Sequence, residues 1–153
     1  MIRVQKEDFD IGGEISKILK SNTEIGGLSS FVGVVREYSG DDQIKTMTLE
    51  HYPGMTEKIL DGLEVKAREH WELKEILIVH RYGTLKPGDQ IVLVVTASSH
   101  RKDALESCQF LIDWLKTEAP FWKLEDRESG AHWVKARTAD CEAASKWKTD
   151  TEE

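Results

Sequence analysis

Two lysines seven positions apart close the segment Leu115-Lys116-Thr117-Glu118-Ala119-Pro120-Phe121-Trp122-Lys123. Amines held near apolar walls lose affinity for their protons, through desolvation and through repulsion of each other. Such lysines serve as nucleophiles or proton shuttles. At ~100° per residue, Lys116 falls on the flank of the apolar stripe Ala104, Cys108, Leu111 and Leu115, beside Ile112 and Leu105. Lys123 follows a Pro-Phe-Trp corner that can hold it rigidly. The plainer alternative is a cation complementing a helix C-terminus, with a second cation on an exposed strand. A second cationic segment, Ser98-Ser99-His100-Arg101, stands where a strand gives way to a helix. Free N–H groups and the helix dipole favour anions there; otherwise it is a serine cap beside a basic pair. A third, Phe31-Val32-Gly33-Val34-Val35-Arg36, ends an apolar strand on an arginine suited to bidentate binding of phosphate or carboxylate. A rim salt bridge with Glu50 is the alternative. Arg137, closing Trp133-Val134-Lys135-Ala136-Arg137, is a weaker case of the same kind. His51, His80, His132 and the tryptophans read as core or interface residues, and Cys108 as packing.

Other chemistries lack their templates. The sequence has no Gly-rich phosphate loop, no His-x-x-x-His or Cys-x-x-Cys pair and no Gly-x-Ser-x-Gly elbow. The net charge of −7, from 28 acidic and 21 basic residues, disfavours nucleic acid and anionic membranes as partners. A small anion remains suitable, because a few converging cations suffice locally. With 39% hydrophobic and 32% charged residues, the 153-residue chain has the composition of one folded domain. No apolar run approaches the ~18 residues that span a bilayer, and the first residues lack the apolar core of a signal peptide. Cys108 and Cys141 lack metal-ligand spacing, so two reduced thiols in a cytoplasmic protein are expected.

The elements that must position these residues follow from periodicity. Residues 10–20 suit a short amphipathic helix with Ile11, Ile15, Ile18 and Leu19 on one side. Gly26-Gly27 breaks the pattern, and residues 28–38 suit a mostly buried strand. Residues 44–52 alternate, with Met47 and Leu49 inward and Ile44 on the opposite face. Residues 55–71 suit a helix with Ile59, Leu63, Ala67 and His70 roughly in line. Two strands, 75–82 and 90–98, pair across a Lys86-Pro87-Gly88-Asp89 turn. A helix capped by Ser99 runs to about Ala119, where Pro120 stops it. Strands at 122–127 and 132–137 follow. The order αββαββαββ with short connections favours antiparallel pairing and an α+β fold. The division expected is one domain over 1–137 and a polar, fraying tail over 138–153.

Taken in order, these segments resemble the large, catalytic subunit of molybdopterin synthase. The matching stretches also include Leu49-Glu50-His51-Tyr52-Pro53-Gly54-Met55 and His80-Arg81-Tyr82-Gly83-Thr84-Leu85-Lys86-Pro87-Gly88-Asp89, and they cover roughly residues 28–137. Each is weak alone; the ordered set with Lys-Thr-x-Ala-Pro-Phe-Trp-Lys is specific. The resemblance implies an α/β hammerhead fold and a sulfurtransferase with no cofactor and no metal. It implies a heterotetramer, with a central homodimer and a small ubiquitin-like sulfur carrier at each end. The carrier's Gly-Gly thiocarboxylate would deliver sulfur to cyclic pyranopterin monophosphate, forming the dithiolene of molybdopterin. By motif match Lys116 and Lys123 are catalytic, while Arg36, His100, Arg101 and Arg137 bind pterin and phosphate. Phe31 matches a wall residue and Ile112, where some relatives have methionine, lines the pocket. Two rival readings are a non-catalytic module that binds a ubiquitin-like tail and an anion, and an acyl transferase with a lysine nucleophile.

Overall fold

The computed structural model describes residues 1–134 and 138–148, with the side chains of Thr138 and Ala139 left undescribed. The chain runs β1 (Ile2–Gln5), α1 (Ile11–Ser21), β2 (Gly27–Val34), β3 (Tyr38–Ser39), β4 (Asp42–His51), α2 (Met55–His70), β5 (Glu75–Arg81), β6 (Gly83–Leu85), β7 (Gln90–Ser98), α3 (Arg101–Leu115), β8 (Phe121–Arg127), β9 (Gly130–Val134) and α4 (Thr138–Ser145). The α+β class and the mostly antiparallel pairing expected from the sequence are what the chain adopts.

The first sheet has the order β1-β5-β7-β2. Its inner strand β5 is apolar on both sides because both faces are covered. Ile76 and Ile78 face α2 and α3, where Leu60, Leu63, Ala67, Leu111 and Trp114 complete the larger core. Leu77 and Val79 face the other way, onto Phe9 and the Ile11, Ile15 and Ile18 stripe of α1. Each such fully buried aliphatic side chain contributes about 1.5–3 kcal/mol. The second sheet has the order β3-β4-β8-β9, with β6 also on β4, and packs Met47, Leu49 and Leu85 with Val35 and Ile91.

Several local expectations are corrected. The N-terminal segment is a strand, β1, parallel to β5 with Ile2 opposite Ile78. The expected strand over 28–38 is cut short at Val34. Leu19 is exposed, so the half-buried stripe of α1 keeps only the isoleucines. In α2 the buried line is Thr56, Leu60, Leu63 and Ala67, and His70 is exposed. Ile44 is buried with Met47 and Leu49 although it has the wrong parity. A register shift against β8 between Ile44 and Thr46 turns it inward. The cap of α3 is His100, not Ser99: the Ser99 hydroxyl donates to the Glu24 carbonyl at 3.1 Å, and Ser98 Oγ accepts the His100 N–H at 3.3 Å. The segment from Thr138 forms α4 rather than a frayed tail, because Ala144 is buried and Trp147 packs against the core under α3. The turn at 86–89 is as expected, with Gly88 at φ +90° and Asp89 N–H donating to the Lys86 carbonyl at 2.9 Å.

Candidate active site

Helix α3 ends at Leu115, four residues before Ala119, and Lys116 is its C-cap. Its N–H donates to the Ile112 carbonyl at 3.2 Å. The chain then turns through Thr117 and Glu118, whose N–H groups both donate to the Trp114 carbonyl at 3.1 and 2.8 Å. A further contact, Phe121 N–H to the Ala119 carbonyl at 2.8 Å, closes the corner around Pro120 and starts β8. Alternation along β8 then decides what faces inward. Phe121, Lys123 and Glu125 point into a cleft, while Trp122 points out and meets Tyr52 edge-on at 4.6 Å.

That cleft has a volume of about 560 Å³ and lies where the two sheets and the end of α3 meet. Its apolar walls include Phe31 from β2, Val92 from β7, Met47 from β4, and Ile112 and Leu115 from α3. Arg36, Lys116 and Lys123 supply its cations, and Glu125 and Asp140 its carboxylates. Burial holds the Lys123 ammonium below the ordinary lysine range, and the Lys116 charge pushes it further down. Asp140 and Glu125 partly oppose this. Lys116 is exposed at the cleft's edge and Lys123 is half-buried, so one amine can meet an incoming anion while the other works in a drier setting.

The structure therefore brings five of the sequence-derived residues to one place: Lys116, Lys123, Arg36, Phe31 and Ile112. Arg36 forms no ion pair with Glu50, whose backbone instead lies opposite Trp122. His100 and Arg101 are not there. They are exposed at the opposite end of α3, and Arg101 is fifteen positions from Lys116, roughly 22 Å along the axis. Arg137 lies outside the described residues.

Three cleft residues escape a reading of the sequence. Glu125, 3% exposed, accepts a bond from Arg127 Nε at 2.9 Å; the alternation Phe121-Lys123-Glu125 was the signal that could have found it. Asp140 arrives on α4, from a segment that reads as tail. His80 reads as core and is 6% exposed, yet its ring lines the cleft and stacks on Phe121 at 3.6 Å. Cys108 is packing, as expected: burial pushes its thiol up, against partial opposition from Ser29 and Thr96. Among the described residues no group of three or more potential ligands is placed to hold a metal ion, and no helix is long and apolar enough to cross a membrane.

Comparison with known proteins gives one result. The family model described as MoaE protein matches residues 4–118. A curated molybdopterin synthase catalytic subunit from Ralstonia nicotianae is 48% identical over 95% of this chain and 83% of its own length. Another from Pseudomonas aeruginosa is 46% identical over 96% of this chain and 98% of its own. The solved structure of the molybdopterin biosynthesis MoaE protein from Burkholderia ambifaria superposes with a TM-score of 0.83 at 47% identity, covering 97% of each chain.

Proposed function

The chain belongs to the MoaE protein family of molybdopterin synthase catalytic subunits, sulfurtransferases of molybdenum cofactor biosynthesis, and from that premise we propose how its own residues carry the reaction. The substrate is cyclic pyranopterin monophosphate, and the sulfur donor is the C-terminal thiocarboxylate of a small ubiquitin-like carrier ending in Gly-Gly. The observation that carries this reading is the cleft itself: two lysines with different exposure, one of them with a lowered proton affinity, between apolar walls. Both the donor and the substrate are anions, and a partly dry cleft strengthens their attraction to fixed cations. Lys116, at the edge, pairs with the incoming carrier terminus. Lys123, further in, takes and returns protons as the cyclic phosphate opens. Each sulfur forms a C–S bond to a side-chain carbon of the pterin as its C–S bond to the carrier breaks. The replaced oxygens leave, one with the opening phosphate ester and one as water, and water supplies the oxygen of the carboxylate left on the carrier. Arg36 holds phosphate, and Phe31 and Ile112 flank the pterin.

Two chains build each site. A pterin monophosphate is on the order of 10 Å long, so it cannot meet Lys116 and also reach Arg101 some ~22 Å away on the same helix. A two-fold dimer that runs α3 antiparallel to its partner helix brings the far end, with His100 and Arg101, to the near end of the other copy. Arg137 joins the phosphate-binding set by its motif. The assembly is a central homodimer with a carrier at each end, working in the cytoplasm.

The test is reconstitution. The chain is mixed with a thiocarboxylated carrier and the cyclic precursor, and dithiolene formation is followed. Lys116→Ala is expected to lose most product formation while its stability changes by under about 0.5 kcal/mol, as for an exposed lysine. Near-parental turnover by the folded variant would remove Lys116 from the mechanism. A folded chain that binds the carrier tail and never forms dithiolene would favour the binding-module reading.

A further inference from the structure

Position 80 stands where the two sheets meet. β5 is an inner strand, so His80 has Val4 of β1 on one side and Val92 of β7 on the other. Its side chain leaves the first sheet and reaches the second, where the imidazole lies on the Phe121 ring with centroids 3.6 Å apart and planes 12° from parallel. The other end of the ring is also held. His80 Nδ1 is 2.8 Å from the Arg81 carbonyl oxygen. A carbonyl oxygen only accepts, so Nδ1 carries the proton and donates. The ring is thus fixed by a backbone bond on one sheet and a face-to-face contact with the other. Phe121 is two residues before Lys123, on the same face of β8.

We propose that His80 is a positioning residue for Lys123: its stack on Phe121 clips β8 to the first sheet and keeps water from the wall that carries the lysine amine. The role goes beyond packing because of what else lines this cleft. Arg36, Lys116 and Lys123 are there already, with Glu125 and Asp140 as the described counter-charges. A third ring, His51, lies 6.2 Å from Phe121 and 4.4 Å from Tyr82. Burial takes the His80 imidazole down to about 3; the Arg81 bond opposes this, and the Lys123 and His51 charges add to it. The ring that seals the wall is therefore neutral near pH 7, and it adds no further cation beside Lys123. An arginine or lysine of similar reach would add one, and a small residue would let water in.

The catalytic consequence rests on the reading of Lys123 given above, so the experiment separates the two. Lysine side chains are labelled with 15N, the Lys123 signal is assigned from its loss in Lys123→Arg, and its titration is followed by NMR in the full chain. In His80→Ala the midpoint is expected to rise by at least about 0.5 pH units, because water enters and desolvation is the largest cause of the lowered value. Phe121→Leu removes the same stack with His80 in place, and is expected to give a similar rise. The double variant is expected to rise no further than either single one. His80→Phe, which rebuilds the stack, should bring the midpoint back toward the parental one. If His80→Ala does not fold, Phe121→Leu and His80→Phe decide. A midpoint that stays put when the stack is removed, two full shifts that add in the double variant, or no recovery in His80→Phe would each overturn the proposal. A raised midpoint with unchanged turnover in reconstitution would uphold the positioning role and sink the catalytic one for Lys123.

Discussion

Mixing two dead variants gives a sharp test of whether one chain or two builds the site. Arg101→Ala removes the cation at the start of α3, and Lys116→Ala the one at its end. If a site takes Lys116 from one copy and Arg101 from the other, a heterodimer of the two variants holds one site with neither lesion and one site with both. Random exchange of equal amounts leaves half the dimers mixed, so roughly one quarter of all sites are intact. Activity should recover to roughly 25% of the parental value per chain. The arithmetic depends on the ~22 Å between the two positions along one helix, which is about twice the length of the substrate. The assay is dithiolene formation with excess carrier after subunit exchange, with the mixed dimer quantified by a mass tag on one variant. If demonstrated heterodimers stay at the level of their inactive parents, both residues act within one chain and the distance argument is wrong. Activity well above one quarter from inactive parents would require mixed dimers in excess of the random half, which the mass tag measures.

The remaining predictions concern the cleft and its supports. Lys123 is a charge held where burial disfavours it, so its cationic form lowers stability at neutral pH, and that cost fades as pH rises through its depressed value toward 10.5. Lys123→Met should therefore lose turnover yet melt higher, by about 2–4 °C for a gain near 1 kcal/mol; a lower melting temperature would contradict the burial argument. His80 is held neutral down to about 3, whereas the unfolded chain protonates it below 6.5. Its contribution is complete above pH 6.5 and is lost as pH falls toward 3, at about 1.4 kcal/mol per unit. His80→Phe should flatten the acid side of the melting profile between pH 6 and 4, and an unchanged slope would refute that assignment. Gly26 needs no left-handed φ but has no room: a Cβ there would sit 2.1 Å from the Ser99 carbonyl oxygen, and its N–H donates to Ser98 at 2.9 Å. Gly26→Ala should cost about 2 kcal/mol or more, or roughly 4–8 °C, in thermal melts. A change within 1 °C would show that the strand-to-helix corner can move.

Sequence alone determined the parts of this protein whose signals are local. The isoleucines of α1 recur at helical spacing, β5 and β7 are β-branched runs, and Pro87-Gly88 fits its turn, so the elements could be read one by one. The segment from Lys116 to Lys123 was legible because its chemistry and motif lie within eight consecutive residues. Tertiary structure decided what depends on distance between segments. It made the first residues a strand, because β1 is held by pairing with β5. It turned Ile44 inward through a register shift, which overrides the period-two pattern. It drew α4 and Asp140 to the cleft, where Ala144 is buried and Trp147 packs against the larger core. Above all it separated two cationic segments that look equivalent in the sequence. Lys116 and Arg101 share one helix, yet a rigid rod of fifteen residues keeps its ends apart, and only the fold reveals that one end lines the cleft and the other faces solvent. His80 is the converse case: nothing in a buried β-strand marks one side chain as different, until a second sheet lays Phe121 against it.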